Sequence, residues 1–177
     1  MLPVVLNDYT VRQRTVGKGV LTRDLALLLG TVGPVLRASG VAQDVRSTGY
    51  AAYGELGFKP IVEQAGDAYA RMLVRTRETY QAIDLVRKAL AQMPEGEFIA
   101  RARGNPQGRT ISRVEQPRGE VMYYIAGNNT RNLERLRVRT PTFANVPALV
   151  HMLPGCELAD VPVLVLSIDP CISCTER

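Results

Sequence analysis

The sequence has no tryptophan, a single histidine and only three cysteines among 177 residues, and each scarcity narrows what the chain does. Its 22 Lys and Arg are spread along the chain and not interleaved with aromatics, so it offers no stacking platform for bases, and nucleic acid is not an expected partner. Against 17 Asp and Glu the formal charge is +5, a modest excess that permits an acidic partner surface without demanding one. Long apolar runs are missing as well. Leu25 to Leu36 is broken by Gly and Pro, and Val161 to Leu166 falls far short of the roughly 20 residues a membrane span needs. The first residues lack the basic region and apolar core of a secretory leader, so a cytoplasmic, reducing setting is expected, with cysteines that act as thiolates or metal ligands more readily than as disulfides.

What is present fits one domain over residues 1–177: the hydrophobic content is 46%, with no internal repeat or low-complexity segment. Gly17 and Gly19 predict that residues 1–20 are a loop entering a helix capped by Thr22 or Asp24. Leu25 to Leu29 is too continuously apolar for a surface helix and is expected to be buried, with Gly30, Gly33 and Pro34 ending or bending it. The connector from Arg37 to Phe58 is long enough to be unusual unless it lines something. Asp67 opens the clearest helix, in which Tyr69, Leu73, Thr76, Tyr80, Ile83 and Val86 to Leu90 recur at helical spacing. Arg71, Arg75, Glu78, Arg87 and the Asp84 and Lys88 pair take the other face, which reads equally as solvated or partner-facing, and Pro94 with Gly96 stops the helix. Strand-like runs follow around Val114, Val121 to Ile125 and Leu133 to Val138, and the turn cluster Gly127, Asn128, Asn129 predicts a β-hairpin. Phe143 to Leu153 is a short helix, and Val161 to Ile168 is β-branched enough for a buried strand. The expected class is α+β, with a mainly helical first half, then a β-hairpin and a terminal strand leading to a C-terminal metal loop.

That loop, Asp169-Pro170-Cys171-Ile172-Ser173-Cys174-Thr175-Glu176-Arg177, is the most informative stretch. The C-x-x-C spacing lets two sulfurs converge on one metal edge while the N–H groups of the turn point at them. On these residues a redox dithiol and half of a structural zinc site stand side by side, with Cys156 and His151 available to complete a Cys3His set. Alone, Cys156 reads as a small buried hydrophobe, His151 as a satisfied buried or interfacial histidine, Arg118 as a surface cation and Asp169 as a turn residue before Pro170.

Several blocks carry a resemblance over nearly the whole chain: Arg14-Thr15-Val16-Gly17-Lys18-Gly19-Val20-Leu21, Gly33-Pro34-Val35-Leu36-Arg37-Ala38-Ser39-Gly40-Val41 with Asp44-Val45-Arg46, Val114-Glu115-Gln116-Pro117-Arg118-Gly119-Glu120, Arg139-Thr140-Pro141-Thr142-Phe143-Ala144-Asn145, and the cysteine loop. Together they resemble the C-terminal part of the large subunit of nickel–iron hydrogenases, in the membrane-bound, energy-converting branch related to the quinone-side core subunit of respiratory complex I. Complex I subunits lack the metal-binding cysteines, whereas Cys171 and Cys174 match the hydrogenase pair, and soft thiolates suit nickel and iron. The resemblance implies that Cys171 is a terminal nickel ligand and that Cys174 bridges nickel and iron. It places Pro117 and Arg118 over the centre, with the guanidinium polarising what binds there, and pairs Asp169 with Arg118. Thr142 then either hydrogen-bonds a cyanide ligand of the iron or caps the following helix, and Arg177 lies where the family's maturation cleavage falls.

The family's centre takes four thiolates from two C-x-x-C pairs, and this sequence has one pair, so it supplies half of the ligand set. The expected partners are the N-terminal part of the large subunit, an iron–sulfur small subunit that exchanges electrons, since no cluster motif occurs here, and membrane-arm subunits holding the chain peripherally at the cytoplasmic membrane. Two rival readings remain: a non-catalytic complex I-like core component coupling redox to ion transport, and a zinc-binding module.

Overall fold

A computed structural model describes residues 2–97, 99–100 and 103–176. The fold is α+β, a set of helices with one three-stranded antiparallel sheet whose outer strands are largely exposed. Residues 1–20, expected as a loop, instead contain two short helices, α1 (Leu2–Asn7) and α2 (Tyr9–Thr15). The signal was Asp8, whose side chain accepts from the Val11 N–H at 3.0 Å and caps α2. Thr22 caps α3 (Arg23–Leu28) through the Leu25 N–H, as expected. The apolar run is not buried as a whole, however: Ala26 is inaccessible, whereas Leu27 is 48% and Leu28 81% exposed. A helix of under two turns has only one face to give to a core.

The next helix, α4 (Gly33–Arg37), starts with Pro34 in its first turn and is buried along its whole length. The connector beyond it folds back as a 3-10 turn at Val45–Thr48 and lines a charged interior around Arg37. The longest helix, α5 (Ala68–Ala91), begins where predicted, with the Asp67 carboxylate accepting from the Ala70 N–H at 2.7 Å and from the Gly17 N–H at 2.8 Å. Its charged face corrects the sequence reading, because Arg71 is fully buried and Glu78 nearly so. Meanwhile Tyr80, Ile83, Val86 and Leu90, on the expected apolar stripe, are exposed.

The sheet comprises β1 (Gln107–Gln116), β2 (Gly119–Asn128) and β3 (Leu133–Arg139) in the order β1-β2-β3. The predicted hairpin at Gly127 to Asn129 joins β2 to β3, with a register irregularity at Ala126 and Gly127, and β1 adds a second hairpin through the tight turn at Pro117 and Arg118. Helix α6 (Pro141–Met152) follows the sheet. The predicted terminal strand is instead α7 (Val161–Ser167), with Pro162 in its first turn, followed by the one-turn α8 (Ile172–Thr175). Short apolar runs do not distinguish a buried strand from a helix, and a proline near the start is compatible with a helix.

The main core joins Leu21, Ala26, Val35, Leu36, Ala148, Met152 and Ile168, so α3, α4, α6 and the end of α7 pack together. A second cluster, Ala38, Ala70 and Val74, seats α5 on the chain after α4. Among the described residues no helix is long and apolar enough to cross a membrane.

Candidate functional site

Two glycines bring the β1–β2 turn to the core. Gly33 (φ +69°) and Gly119 (φ +130°) face each other, and a Cβ built on Gly119 would lie 2.8 Å from the Gly33 Cα, while one on Gly33 would strike the Arg118 carbonyl. The close approach seats Pro117 and Arg118 beside the chain that leaves α7. There the Arg118 Nε donates to the Asp169 carbonyl at 3.0 Å, and its Nη2 lies 3.5 Å from the Asp169 Oδ1. Asp169 is held at φ +55°, a left-handed conformation that turns the chain from α7 into the cysteine loop. Arg118 and Asp169, far apart in sequence, are therefore neighbours, each about one-third exposed.

The loop is tied down by the start of α6. The Thr142 hydroxyl accepts from the Cys171 N–H at 3.2 Å, and the Thr140 hydroxyl donates to the Cys174 carbonyl. Thr142 is not the cap of α6, a position held by Thr140, so its side chain is free to serve the loop. Asn145, fully buried, clamps α6 to the entry of α4: its Oδ1 accepts from the Val32 N–H at 3.0 Å and its Nδ2 donates to the Val32 carbonyl at 3.2 Å. Contacts among α4, α6 and the β1–β2 turn thus bring the arginine and the cysteine loop together.

The two thiols differ. The Cys171 Sγ lies 3.0 Å from the Ser173 Oγ, and this hydrogen bond, with others from the Cys174 N–H and thiol and the charge of Arg118, lowers its pKa to about 7. Burial pushes the Cys174 thiol up, as does its hydrogen bond to Cys171, although the Gln116 side chain opposes the shift. The two thiols thus shift in opposite directions.

Cys156 and His151 line a different cavity, with Gly17, Lys18 and Asp160, and neither Cys171 nor Cys174 borders it. Among the described residues no three His, Cys, Asp or Glu side chains group as a metal site, so the Cys3His arrangement does not form. Arg177, considered for maturation cleavage, lies outside the described residues.

Sequence reasoning missed Arg75, Glu78 and Glu115 next to this loop. A cavity of about 460 Å³ is bordered by these three with Arg46, Tyr53, Gln116, Pro117 and Asp169. Pro117 thus also borders an interior space, and Glu115 and Gln116, two residues of the turn block, carried the available signal.

The chain matches the family described as respiratory-chain NADH dehydrogenase, 49 kDa subunit, over residues 1–105 and 100–177. It is 41% identical over 179 residues to the carbon monoxide-induced hydrogenase of Rhodospirillum rubrum, covering 100% of this chain and 50% of that protein. It is 38% identical over 192 residues to the membrane-bound hydrogenase subunit alpha of Pyrococcus furiosus, covering 98% and 45%. With the D-type subunit of NADH-quinone oxidoreductase from Dehalococcoides mccartyi it shares 41% identity over 160 residues, covering 88% and 44%. The chain therefore spans about half the length of the curated relatives it matches. With the family match running over both halves of its length, the chain is a member of the respiratory-chain NADH dehydrogenase 49 kDa subunit family, and within it resembles both hydrogenase subunits and the D-type subunit of NADH-quinone oxidoreductase.

Proposed function

We propose that this chain is the C-terminal part of a nickel–iron hydrogenase large subunit that, within an energy-converting complex, reduces protons to hydrogen or oxidises hydrogen and exchanges electrons with an iron–sulfur subunit. The observation that carries this reading is the Arg118 and Asp169 pair set beside a C-x-x-C loop whose first thiol ionises near pH 7. The donor set fits in kind, since two soft thiolates suit nickel and iron, but not in number. Cys171 and Cys174 would hold one side of the centre, and the other two thiolates would come from the rest of the large subunit.

When bound, the metal pair supplies the site where hydrogen is split or formed and where the two electrons are taken up or released. The protein's part is positional and electrostatic. The hydrogen bonds and the positive charge around Cys171 favour its thiolate over that of an ordinary cysteine. The Thr140 and Thr142 hydroxyls hold the loop backbone, so the sulfurs do not have to be ordered on binding. Arg118 contributes a fixed positive charge whose orientation is set by its bond to the Asp169 carbonyl, and Asp169 keeps that charge locally balanced.

The similarity to the D-type subunit of NADH-quinone oxidoreductase supports a second reading, a metal-free core component that couples redox change to ion transport. Producing the chain with the missing half of the large subunit and the maturation enzymes separates the two. The hydrogenase reading expects stoichiometric nickel that Cys171→Ser abolishes, and it expects Arg118→Lys to lose at least tenfold in turnover, about 1.4 kcal/mol of barrier, at unchanged nickel content. An assembled complex without nickel would decide for the second reading.

A further inference from the structure

Arg75 lies on α5, one turn beyond Arg71. Its side chain is only 23% exposed, and its Nη1 donates to the Arg71 carbonyl at 3.3 Å. Its Nε and Nη2 are buried and make no hydrogen bond among the described residues. The charged groups that face it are Asp169, Glu78, Arg118 and Arg37, and Asp169 comes to 4.0 Å from the Nε through its Oδ2. The other oxygen of the same carboxylate, Oδ1, faces Arg118 at 3.5 Å. Arg75 and Asp169 also line both of the cavities that meet here, of about 520 and 460 Å³.

We propose that Arg75 is a positioning residue for the cysteine loop: its buried charge fixes the Asp169 carboxylate from the side opposite Arg118 and so sets the direction in which the loop leaves α7. This assignment deepens the hydrogenase reading and rests on it for its functional meaning, but the contact itself belongs to this chain alone. Two features argue for it. A largely buried guanidinium without hydrogen-bonded acid partners is costly, so the nearest carboxylate is strongly drawn to it. In addition, Asp169 occupies a left-handed conformation, uncommon for a non-glycine residue although aspartate adopts it more readily than most, and Arg75 contacts its side chain there. Helix α5 then grips the segment before the cysteines at two successive turns, with the Arg71 Nε on the Ser167 hydroxyl at 3.0 Å and Arg75 on Asp169.

Amide hydrogen exchange on the metal-free chain tests the contact without any catalytic activity. Arg75→Met, which keeps an unbranched apolar stem, is expected to speed exchange at residues 169–175 at least tenfold and to leave α5 and the β1–β2 ladder protected. Arg75→Lys, which keeps the charge, is expected to restore most of the protection. In an Asp169→Asn background, Arg75→Met is expected to add nothing further. Equal loosening of α5 and the loop, an unchanged loop, or the same added effect in the Asp169→Asn background would each overturn the proposal. If Arg75→Met does not fold, Asp169→Asn against the natural chain reads the same contact, and an unchanged loop there overturns it too. A failure here leaves the nickel measurement untouched, and absent nickel leaves the exchange result standing, so the two readings fail separately.

Discussion

The surroundings of Arg37 and of Arg71 make a useful comparison, because both guanidinium groups are fully buried and the protein meets them with opposite kinds of partner. Around Arg37 three carboxylates converge from separate segments: Asp44 at 2.9 Å, Glu78 at 2.8 Å and Glu115 at 2.8 Å, with the Gln43 carbonyl at 3.2 Å. Around Arg71 every hydrogen-bond acceptor is neutral: the Ser167 hydroxyl at 3.0 Å, the Gly66 carbonyl at 2.8 Å and the Gly19 carbonyl at 3.0 Å. The first arrangement balances charge with charge. The second spreads one charge over dipoles, and burial, aided by the charge of Arg75, lowers the Arg71 pKa to about 10. Charge neutralisation thus holds the connector, α5 and β1 together, whereas dipole solvation ties α5 to the Gly19 loop and to α7, the element that leads to the cysteines.

The comparison breaks most visibly at Arg37. Replacing it with Met leaves Asp44, Glu78 and Glu115 facing one another without their shared counter-charge, and about 4 kcal/mol of stability should be lost in urea unfolding at pH 7. The deficit should shrink with acid. Burial, the largest influence on Glu115, raises its pKa above the ordinary 4.5 even with Arg37 present, so its ionisation opposes folding, and this cost is absent below the ordinary value and grows as pH rises through the folded one. Equal deficits at pH 4 and pH 7 would show that Arg37 acts through packing and not through charge.

A smaller loss is expected at Arg71. Arg71→Met removes hydrogen bonds to neutral groups only, so the cost should be about 2 to 3 kcal/mol. It should also be flat between pH 5 and 8, because no carboxylate is its hydrogen-bond partner. A pH-dependent deficit would mean that Arg71 draws on Asp67 or another acid, and the contrast with Arg37 would fail.

The smallest effect belongs to the half-exposed cysteine loop, where local hydrogen bonds do what buried charges do elsewhere. Alkylation of Cys171 in the metal-free chain should rise with pH through about 7, as the thiolate fraction rises, and should level off above about pH 8, with Cys174 lagging. Ser173→Ala should move the midpoint upward more than Arg118→Gln does, because the Ser173 hydrogen bond is the larger influence. The reverse order would make the loop another site governed by charge.

Much of the site was legible because its signals are local or carried by residue type. Cys171, Cys174, Asp169, Arg118, Pro117 and Thr142 stood out from the motifs that resemble hydrogenases, and the structure groups Cys171 with Thr142 and the turn arginine with Asp169. Arg75 was illegible because its meaning depends on an aspartate far along the chain. The same holds for α7: a seven-residue apolar run admits strand or helix, and only packing of Leu164 and Ser167 against the rest of the molecule chose between them.

By itself the sequence determined where α5 begins, since Asp67 caps within one turn, and where it stops, since Pro94 cannot continue a helix; it also put two thiols three residues apart in the last loop, while part of what sets their ionisation comes from the fold. Only the tertiary structure decided which charges are interior. The free energy of a guanidinium depends on the acceptors around it, and those of Arg37, Arg71 and Arg118 come from segments that the fold alone brings together.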